Sequence, residues 1–362
     1  MKILLIGEYS NVHNTLAQGL RALGHEVCVI SNGDFWKNYP RDIDVARKSG
    51  KSGGVQLMLK LWTLLPQMRG YDVVQLINPM FFELKAERLF FFYKYLRKHN
   101  RRVFLGAFGM DYYWVNTCIT NKPLRYSDFN IGEKLRTDKA AIIERADWIG
   151  TTKERLNKLI ADDCDGIITG LYEYDVCYRP VFPEKTRFIP YPIQEQAVSQ
   201  TDVHKPLRVF IGISKQRSAY KGTDIMLKAA EAIHAKYPEQ MSLKKAEGLP
   251  YAEYQLMMDN SDVILDQLYS YTPSMNSLLA MSKGIVVVGG GEPESYKIIH
   301  DEELRPIINV QPNYESVYQE LEQLVLHSER VPELKRQSIE YVKRHHDYVK
   351  VAQQYVEFYK SK

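Results

Sequence analysis

Residues 262–295 read DVILDQLYSYTPSMNSLLAMSKGIVVVGGGEPES, and this stretch decides the fold. Apolar Val263–Leu265 stop at Asp266, and a polar, aromatic loop follows. Ser274 to Lys283 reads as a small-residue helix with no charge at its centre, and the apolar run 285–288 ends in Gly289, Gly290 and Gly291. Short apolar runs bounded by turn residues are buried strands, and a helix between two of them makes a parallel crossover. Ligands of open α/β sheets sit beyond the carboxyl ends of the strands, so Asp266 and the glycine loop mark a binding edge.

The same alternation extends in both directions. Downstream of "LRVFIGIS" (207–214) the pattern predicts helix 222–236, strand 240–246, helix 251–259 and, after the glycine loop, helices over 314–328, 331–345 and 347–360. Upstream, "KILLIG" (2–7), "HEVCVIS", "YDVVQLI" (71–77), "RRVFLGAF" (101–108), "ADWIGTT" and "DGIITG" read as strands, with an aromatic helix over 82–99. Strands alternating with helices predict an α/β fold with a mostly parallel sheet in each half. The proline-punctuated "RFIPYPIQEQAVSQTDVHKP" (187–206) reads as an interdomain linker. The expected division is 1–190, a linker 191–206, a second domain 207–345, and a last helix 346–362 returning to the first domain. At 362 residues, two domains fit the length.

Composition is that of a globular protein, 45% hydrophobic and 25% charged, with mean hydropathy −0.35. A net charge of +4 gives no global basic field for nucleic acid. Cys28, Cys118, Cys164 and Cys177 are scattered without a CxxC pair, which fits a reducing compartment and neither a disulfide framework nor a zinc site. The apolar start is too short for a signal core, and no run of eighteen apolar residues occurs, so a cytoplasmic location is expected.

The clearest chemistry is in "GISKQRSAYKGTDIMLKAA", where a strand ends at Ile213, a loop carries Lys215, Arg217 and Lys221, and Gly222 opens a helix. A guanidinium binds two phosphate oxygens, and free backbone amides at a helix start add partial positive charge. That combination suits a diphosphate.

With "EGLPYAEYQLMMDNSDVILDQL" and "LLAMSKGIVVVGGGEPE", this segment resembles the donor domain of GT-B glycosyltransferases of family 4. The resemblance covers about 207–295 well and extends loosely to "IGEYSNVHNTLAQGLRALGHEVCVIS" in the first half. It implies two Rossmann-like domains facing a cleft, a C-terminal helix crossing back, and a retaining, metal-independent enzyme that uses a nucleotide-sugar and no cofactor. By the same resemblance Arg217 and Lys221 hold the diphosphate, the segment 247–250 with Gly248 carries the nucleobase, and Gly290, Gly291 and Glu292 lie close to the donor. The implied acceptor is a glycan or a lipid-linked molecule, in surface polysaccharide or glycolipid assembly.

The sequence departs from the family at two positions. The family places two glutamates eight residues apart; aligned on "LAMSKG" they fall on Tyr271 and Leu279. Leucine accepts no hydrogen bond from a ribose hydroxyl, so neighbours must substitute: Asn276 one turn away, Ser274 and Ser277 at the helix start, and Asp266 at the strand end. Leu278, Leu279 and Met281 are expected in the core, and Ser274 as a helix cap.

In the first half, "GEYSNVHN" (7–14) and "GAFGMDYYW" (106–114) follow strands. His13 and Asp111 are candidate catalytic groups, and Asn11 and Tyr112 candidate acceptor contacts. Asp111 resembles the family's GxD strand end, although the histidine often found before it is absent. "SGKSGG" (49–54) lacks the upstream glycine and strand of a phosphate loop, and "DDCD" follows a helix. The basic, then amphipathic segment 47–70, with Trp62 among leucines, suits an anionic membrane surface. Two other readings compete: a GT-B sugar-nucleotide epimerase, which would want acidic catalytic residues in the cleft, and a non-catalytic GT-B protein that binds a partner or membrane.

Overall fold

A computed structural model describes residues 1–50, 52–196, 202–214 and 217–362. The chain forms two compact units. Met1–Asn121, Ile143–Pro192 and Tyr348–Lys362 make the first, and Lys122–Ile142 with Ile193–Asp347 make the second.

The first unit begins β1 (Lys2–Ile6), α1 (Val12–Ala22), β2 (Glu26–Ser31), β3 (Ile43–Asp44), α2 (Gly53–Leu64), β4 (Val73–Leu76), α3 (Ala86–His99), β5 (Val103–Ala107) and α4 (Tyr112–Ile119). A small antiparallel pair, β6 (Asn130–Ile131) and β7 (Lys134–Leu135), falls in the excursion 122–142 that belongs to the second unit. After α5 (Lys139–Trp148), α6 (Thr152–Asp163), β8 (Gly166–Thr169), α7 (Tyr172–Tyr178) and β9 (Thr186–Phe188) complete a seven-stranded parallel sheet, order β3-β2-β1-β4-β5-β8-β9. Its central strands are apolar runs buried on both faces, as parallel strands between helices must be.

In the second unit β10 (Leu207–Ile213), α8 (Ser218–Lys221), α9 (Thr223–Lys236), β11 (Met241–Glu247), α10 (Tyr251–Asp259), β12 (Val263–Leu265), α11 (Met275–Ser282), β13 (Val286–Gly289), α12 (Pro293–Ile298), β14 (Ile308–Asn309), α13 (Tyr314–Leu326) and α14 (Val331–His345) follow in order. The five strands are parallel, in the order β11-β10-β12-β13-β14. Val209, Ile211, Val263, Leu265, Val286 and Val288 form the core with Met226, Ile233, Leu321 and Leu324 from α9 and α13. At the amino end of β12, buried Asp262 accepts Lys335 Nζ at 2.7 Å and Arg208 N at 3.0 Å, pinning α14 to the sheet.

The last helix, α15 (Tyr348–Ser361), packs on α1 in the first unit, where Gly19 lets the backbones meet: a Cβ there would stand 2.2 Å from Tyr348 O. Two expectations are corrected. "ADWIGTT" is not a strand but the end of α5, a turn at Gly150 and the start of α6, which Thr151 caps by accepting Lys153 N. Arg187 and Phe188, read as linker, belong to β9 and extend the first sheet.

Candidate functional site

Four loops leave the carboxyl ends of the second unit's strands. After β10, Arg217 is exposed, with its guanidinium 5.0 Å from the Tyr220 ring centroid, and α8 ends at Lys221. Gly222 adopts φ 74°, and a Cβ there would meet Leu268 Cβ at 2.5 Å, so only glycine lets the chain turn into α9 beside the next loop. The Lys221 carbonyl accepts Leu268 N at 3.0 Å, tying the loop after β10 to the loop after β12. Lys215 lies outside the described residues. After β11, Gly248 takes φ 66° and turns the chain toward α10.

After β12 the polar residues gather. Asp266 accepts Asn276 Nδ2 at 3.0 Å and the Ser277 hydroxyl, while Asn276 Oδ1 accepts Tyr254 OH at 3.1 Å. Ser274 occupies the N-cap of α11 as expected, but its hydroxyl accepts Gln267 Nε2 at 3.1 Å instead of a backbone N–H. Leu278 and Met281 are in the core; Leu279, expected there, is only half-buried.

After β13, a Cβ at Gly290 would lie 2.1 Å from Ser270 O, so the glycine loop presses directly on the loop after β12. Gly291 N donates to Asn309 Oδ1 at 3.0 Å. Glu292, only 3% exposed, has both carboxylate oxygens engaged: Oε1 accepts Tyr126 OH at 2.5 Å and Gln311 Nε2 at 2.8 Å, and Oε2 accepts Arg125 Nη2 at 2.7 Å. Arg125 and Tyr126 lie in the excursion 122–142, where no regular period marks them in the sequence.

In the first unit the strand-end candidates face inward. His13 is fully buried: Nδ1 lies 2.8 Å from Gly7 O and Nε2 lies 3.0 Å from Gln75 Nε2, while Gln75 Oε1 accepts Tyr359 OH from α15. Burial pushes its pKa down to about 3, so the ring is neutral. Nδ1–H then donates to Gly7 O, and Nε2 accepts from the Gln75 amide. Asp111 is also fully buried; it caps α4 by accepting Trp114 N at 2.8 Å and accepts Tyr178 OH at 2.7 Å. Burial raises its carboxyl to about 7. Tyr112 is half-exposed beneath Lys158 Nζ, 4.6 Å from the ring centroid, and Asn11, at φ 74°, accepts Asn14 Nδ2 at 2.8 Å. Sequence reasoning missed Glu8, buried at the start of α1, which accepts Asn14 N at 2.8 Å and His13 N at 3.2 Å.

Within the segment 47–70, residues 53–64 form α2, whose two faces are both apolar. Leu57, Leu61 and Leu64 are buried, and on the opposite side Val55, Leu59 and Trp62, spaced i, i+4, i+7, are each at least 48% exposed. Trp62 stacks on the exposed Phe91 of α3 at 4.7 Å between centroids, and Lys60, Arg88, Lys94 and Lys98 are exposed on the same two helices. No helix among the described residues is long and apolar enough to cross a membrane.

No protein-family model matches the sequence, and no curated protein matches it. Solved structures do match in fold. Sucrose-phosphate synthase from Thermosynechococcus elongatus is 11% identical, with TM-score 0.62 over 100% of this chain and 99% of the other. Anabaena HepE, solved in complex with UDP and glucose, is 12% identical, with TM-score 0.59 over 100% of both chains. WaaG, a glycosyltransferase involved in lipopolysaccharide biosynthesis, is 11% identical, with TM-score 0.56 over 100% of both chains. Identities this low establish the fold, which is the two-unit α/β GT-B architecture.

Proposed function

We propose that this GT-B chain is a glycosyltransferase that moves a sugar from a nucleotide-sugar, with retention and without a metal, to a glycan or lipid-linked acceptor in surface polysaccharide or glycolipid assembly. One observation carries the reading: Arg217 and Lys221 lie in the loop after β10, and that loop is tied through Lys221 O to the loop bearing Asp266. Cations at that edge stabilise the diphosphate as it leaves, so catalysis is mainly positioning and charge stabilisation. The leaving phosphate oxygen takes the acceptor hydroxyl's proton, which requires no protein nucleophile. In this reading Gly248 and its neighbours receive the base, and Asp266, Ser274 and Asn276 stand in for the missing carboxylates near Leu279. Gly290, Gly291 and Glu292 lie close to the donor in this reading. The UDP in the HepE complexes makes UDP the first nucleotide to test.

Asp111 and His13 enter as groups that hold the strand-end loops of the first unit, because their polar atoms already have partners within that unit. Asn11 and Tyr112, both partly exposed, remain the acceptor contacts. The exposed apolar stripe of α2 supports a peripheral contact with an anionic membrane at its cytoplasmic side.

Thermal shift with UDP, GDP, ADP and CMP, on wild type and on Arg217→Ala/Lys221→Ala, tests the reading. A ligand that binds only the native state raises the melting point by mass action. A shift with one diphosphate, lost in the double variant, is expected. No shift with any nucleotide at millimolar concentration would overturn it and favour a non-catalytic GT-B protein, which the absent glutamate pair would then explain.

A further inference from the structure

We infer that residues 122–142 form a positioning strap for the donor site, with Arg136 and Arg125 as its two anchors; this rests on the nucleotide-sugar reading above. The excursion has its own small frame. Leu124, Tyr126 and Phe129 are buried, Asn130 Nδ2 donates to Leu124 O and Gly132 O at 3.0 Å each, and β6 pairs with β7. A segment this short cannot fold alone, and it is ordered by what it grips.

Arg136 grips the phosphate loop. Its guanidinium is buried and donates to Ala219 O at 2.8 Å and Tyr220 O at 3.0 Å, two carbonyls of α8 between Arg217 and Lys221. The same group lies 3.7 Å from the Tyr269 ring centroid, on the loop after β12. A planar fork can hold two carbonyls and stack on a ring at once; a lysine cannot. Arg125 and Tyr126 grip the other side. Arg125 donates to Glu292 at 2.7 Å and Glu294 at 2.5 Å, Tyr126 OH donates to Glu292, and the Tyr126 and Tyr271 rings lie 4.8 Å apart.

One strap therefore fastens three strand-end loops: the cation loop after β10, the aromatic loop after β12 and the glycine loop after β13. Loops ordered before the ligand arrives do not charge their ordering entropy to binding. In the family that the sequence resembles, residue 271 is a glutamate; here the Tyr271 hydroxyl accepts Arg125 N at 2.7 Å, so that position holds the strap.

Isothermal titration of the full-length protein with UDP, GDP and ADP, together with donor kinetics, tests the inference on Arg136→Lys, Arg136→Met and Arg125→Met. Arg125 is 54% exposed in its side chain, and Tyr126 OH and Gln311 Nε2 still donate to Glu292 when it is replaced, so Arg125→Met is expected to keep the fold even if Arg136→Met does not. Asp301→Asn, which removes an ion pair with Arg344 elsewhere in the second unit, serves as a control. The expected result is nucleotide affinity at least tenfold weaker for Arg136→Met, a smaller loss for Arg136→Lys and Arg125→Met, and donor KM raised with kcat at saturating donor preserved. Asp301→Asn should bind as wild type does. Strap variants that bind like wild type, or that lose kcat in proportion to folded fraction with KM unchanged, would reduce the strap to scaffolding and overturn the inference. A wild type that binds none of the three overturns the donor reading itself, and the inference with it.

Discussion

The phenol oxygen of Tyr271 accepts the Arg125 backbone N–H at 2.7 Å, and the Arg125 guanidinium lies 5.0 Å from the centroid of the same ring. A glutamate at 271 would add a third carboxylate beside Glu292 and Glu294, with one guanidinium to share. Tyrosine supplies the acceptor without the charge; burial raises its phenol to about 12, so it stays neutral. Tyr271→Phe removes one hydrogen bond and is expected to lower stability by about 1 kcal/mol in urea denaturation. Tyr271→Glu should be less stable than Tyr271→Phe. A Tyr271→Glu protein as stable as wild type would mean that the carboxylates do not repel across this site.

Asp111 offers a clean separation of cap from catalyst. Asparagine keeps an acceptor for Trp114 N, whereas Asp111→Ala strands that donor and the Tyr178 hydroxyl. The alanine variant should lose about 1–3 kcal/mol of stability. Asp111→Asn should melt near wild type and retain most of its turnover. A loss of turnover on the order of a hundredfold with an unchanged melting point would return Asp111 to proton transfer.

Glu8 sets an unusual pH dependence. Burial raises its carboxyl from 4.5 to about 8, against the pull of the His13 and Asn14 amides. Between those values the folded state holds a proton that the unfolded state has released, so stability falls as pH rises from 4.5 through 8. His13 acts at the other end: its folded value of about 3 lies below 6.5, so stability is lost as pH falls through 6.5 toward 3. Glu8→Gln should gain stability relative to wild type as pH is raised from 4.5 to 8 and level off above. Melting curves of the pair across that range decide it, and a constant difference would show that Glu8 titrates normally.

Much of the second unit was legible because its strands announce themselves. The apolar runs at 263–265 and 285–288 end in Asp266 and three glycines, and the helices over 314–326 and 331–345 carry a clear period. "ADWIGTT" misled because a short apolar run between helices has the same composition as a buried strand. The strap was invisible for a different reason. Its strands are two residues long, and Arg136 and Arg125 find partners 83 to 169 positions away, which no local pattern encodes. His13 shows the same limit: nothing near it in the sequence signals that Gln75 and Tyr359 lie behind it.

Lys335 is expected to carry a large stability term in the second unit. It is 3% exposed and its partner Asp262 is fully buried. Lys335→Met leaves that carboxylate with Arg208 N and the His204 ring but without its lysine. Removing one member of a buried pair costs about 3–5 kcal/mol. Replacing both, as Lys335→Met/Asp262→Asn, should cost less than the single lysine change, and urea denaturation of Lys335→Met, Asp262→Asn and the double variant measures the difference. Equal costs would show that the pair is not coupled.

The outer stripe of α2 yields the last prediction. A surface helix normally turns polar residues to water, yet Val55, Leu59 and Trp62 face outward opposite the buried Leu57, Leu61 and Leu64. Phe91 extends the patch, and Lys60, Lys94 and Lys98 are exposed on the same two helices. Apolar side chains gain by entering the acyl boundary and lysines by approaching anionic headgroups, so binding should need both. Co-sedimentation with vesicles containing phosphatidylglycerol should recover wild type, and recovery should fall with added salt and on neutral phosphatidylcholine vesicles. Leu59→Glu/Trp62→Glu should stay in the supernatant with a melting point near wild type, because the inner stripe that holds α2 to the unit is untouched. Equal recovery of that variant would show that the outer stripe of α2 is not a membrane-binding face.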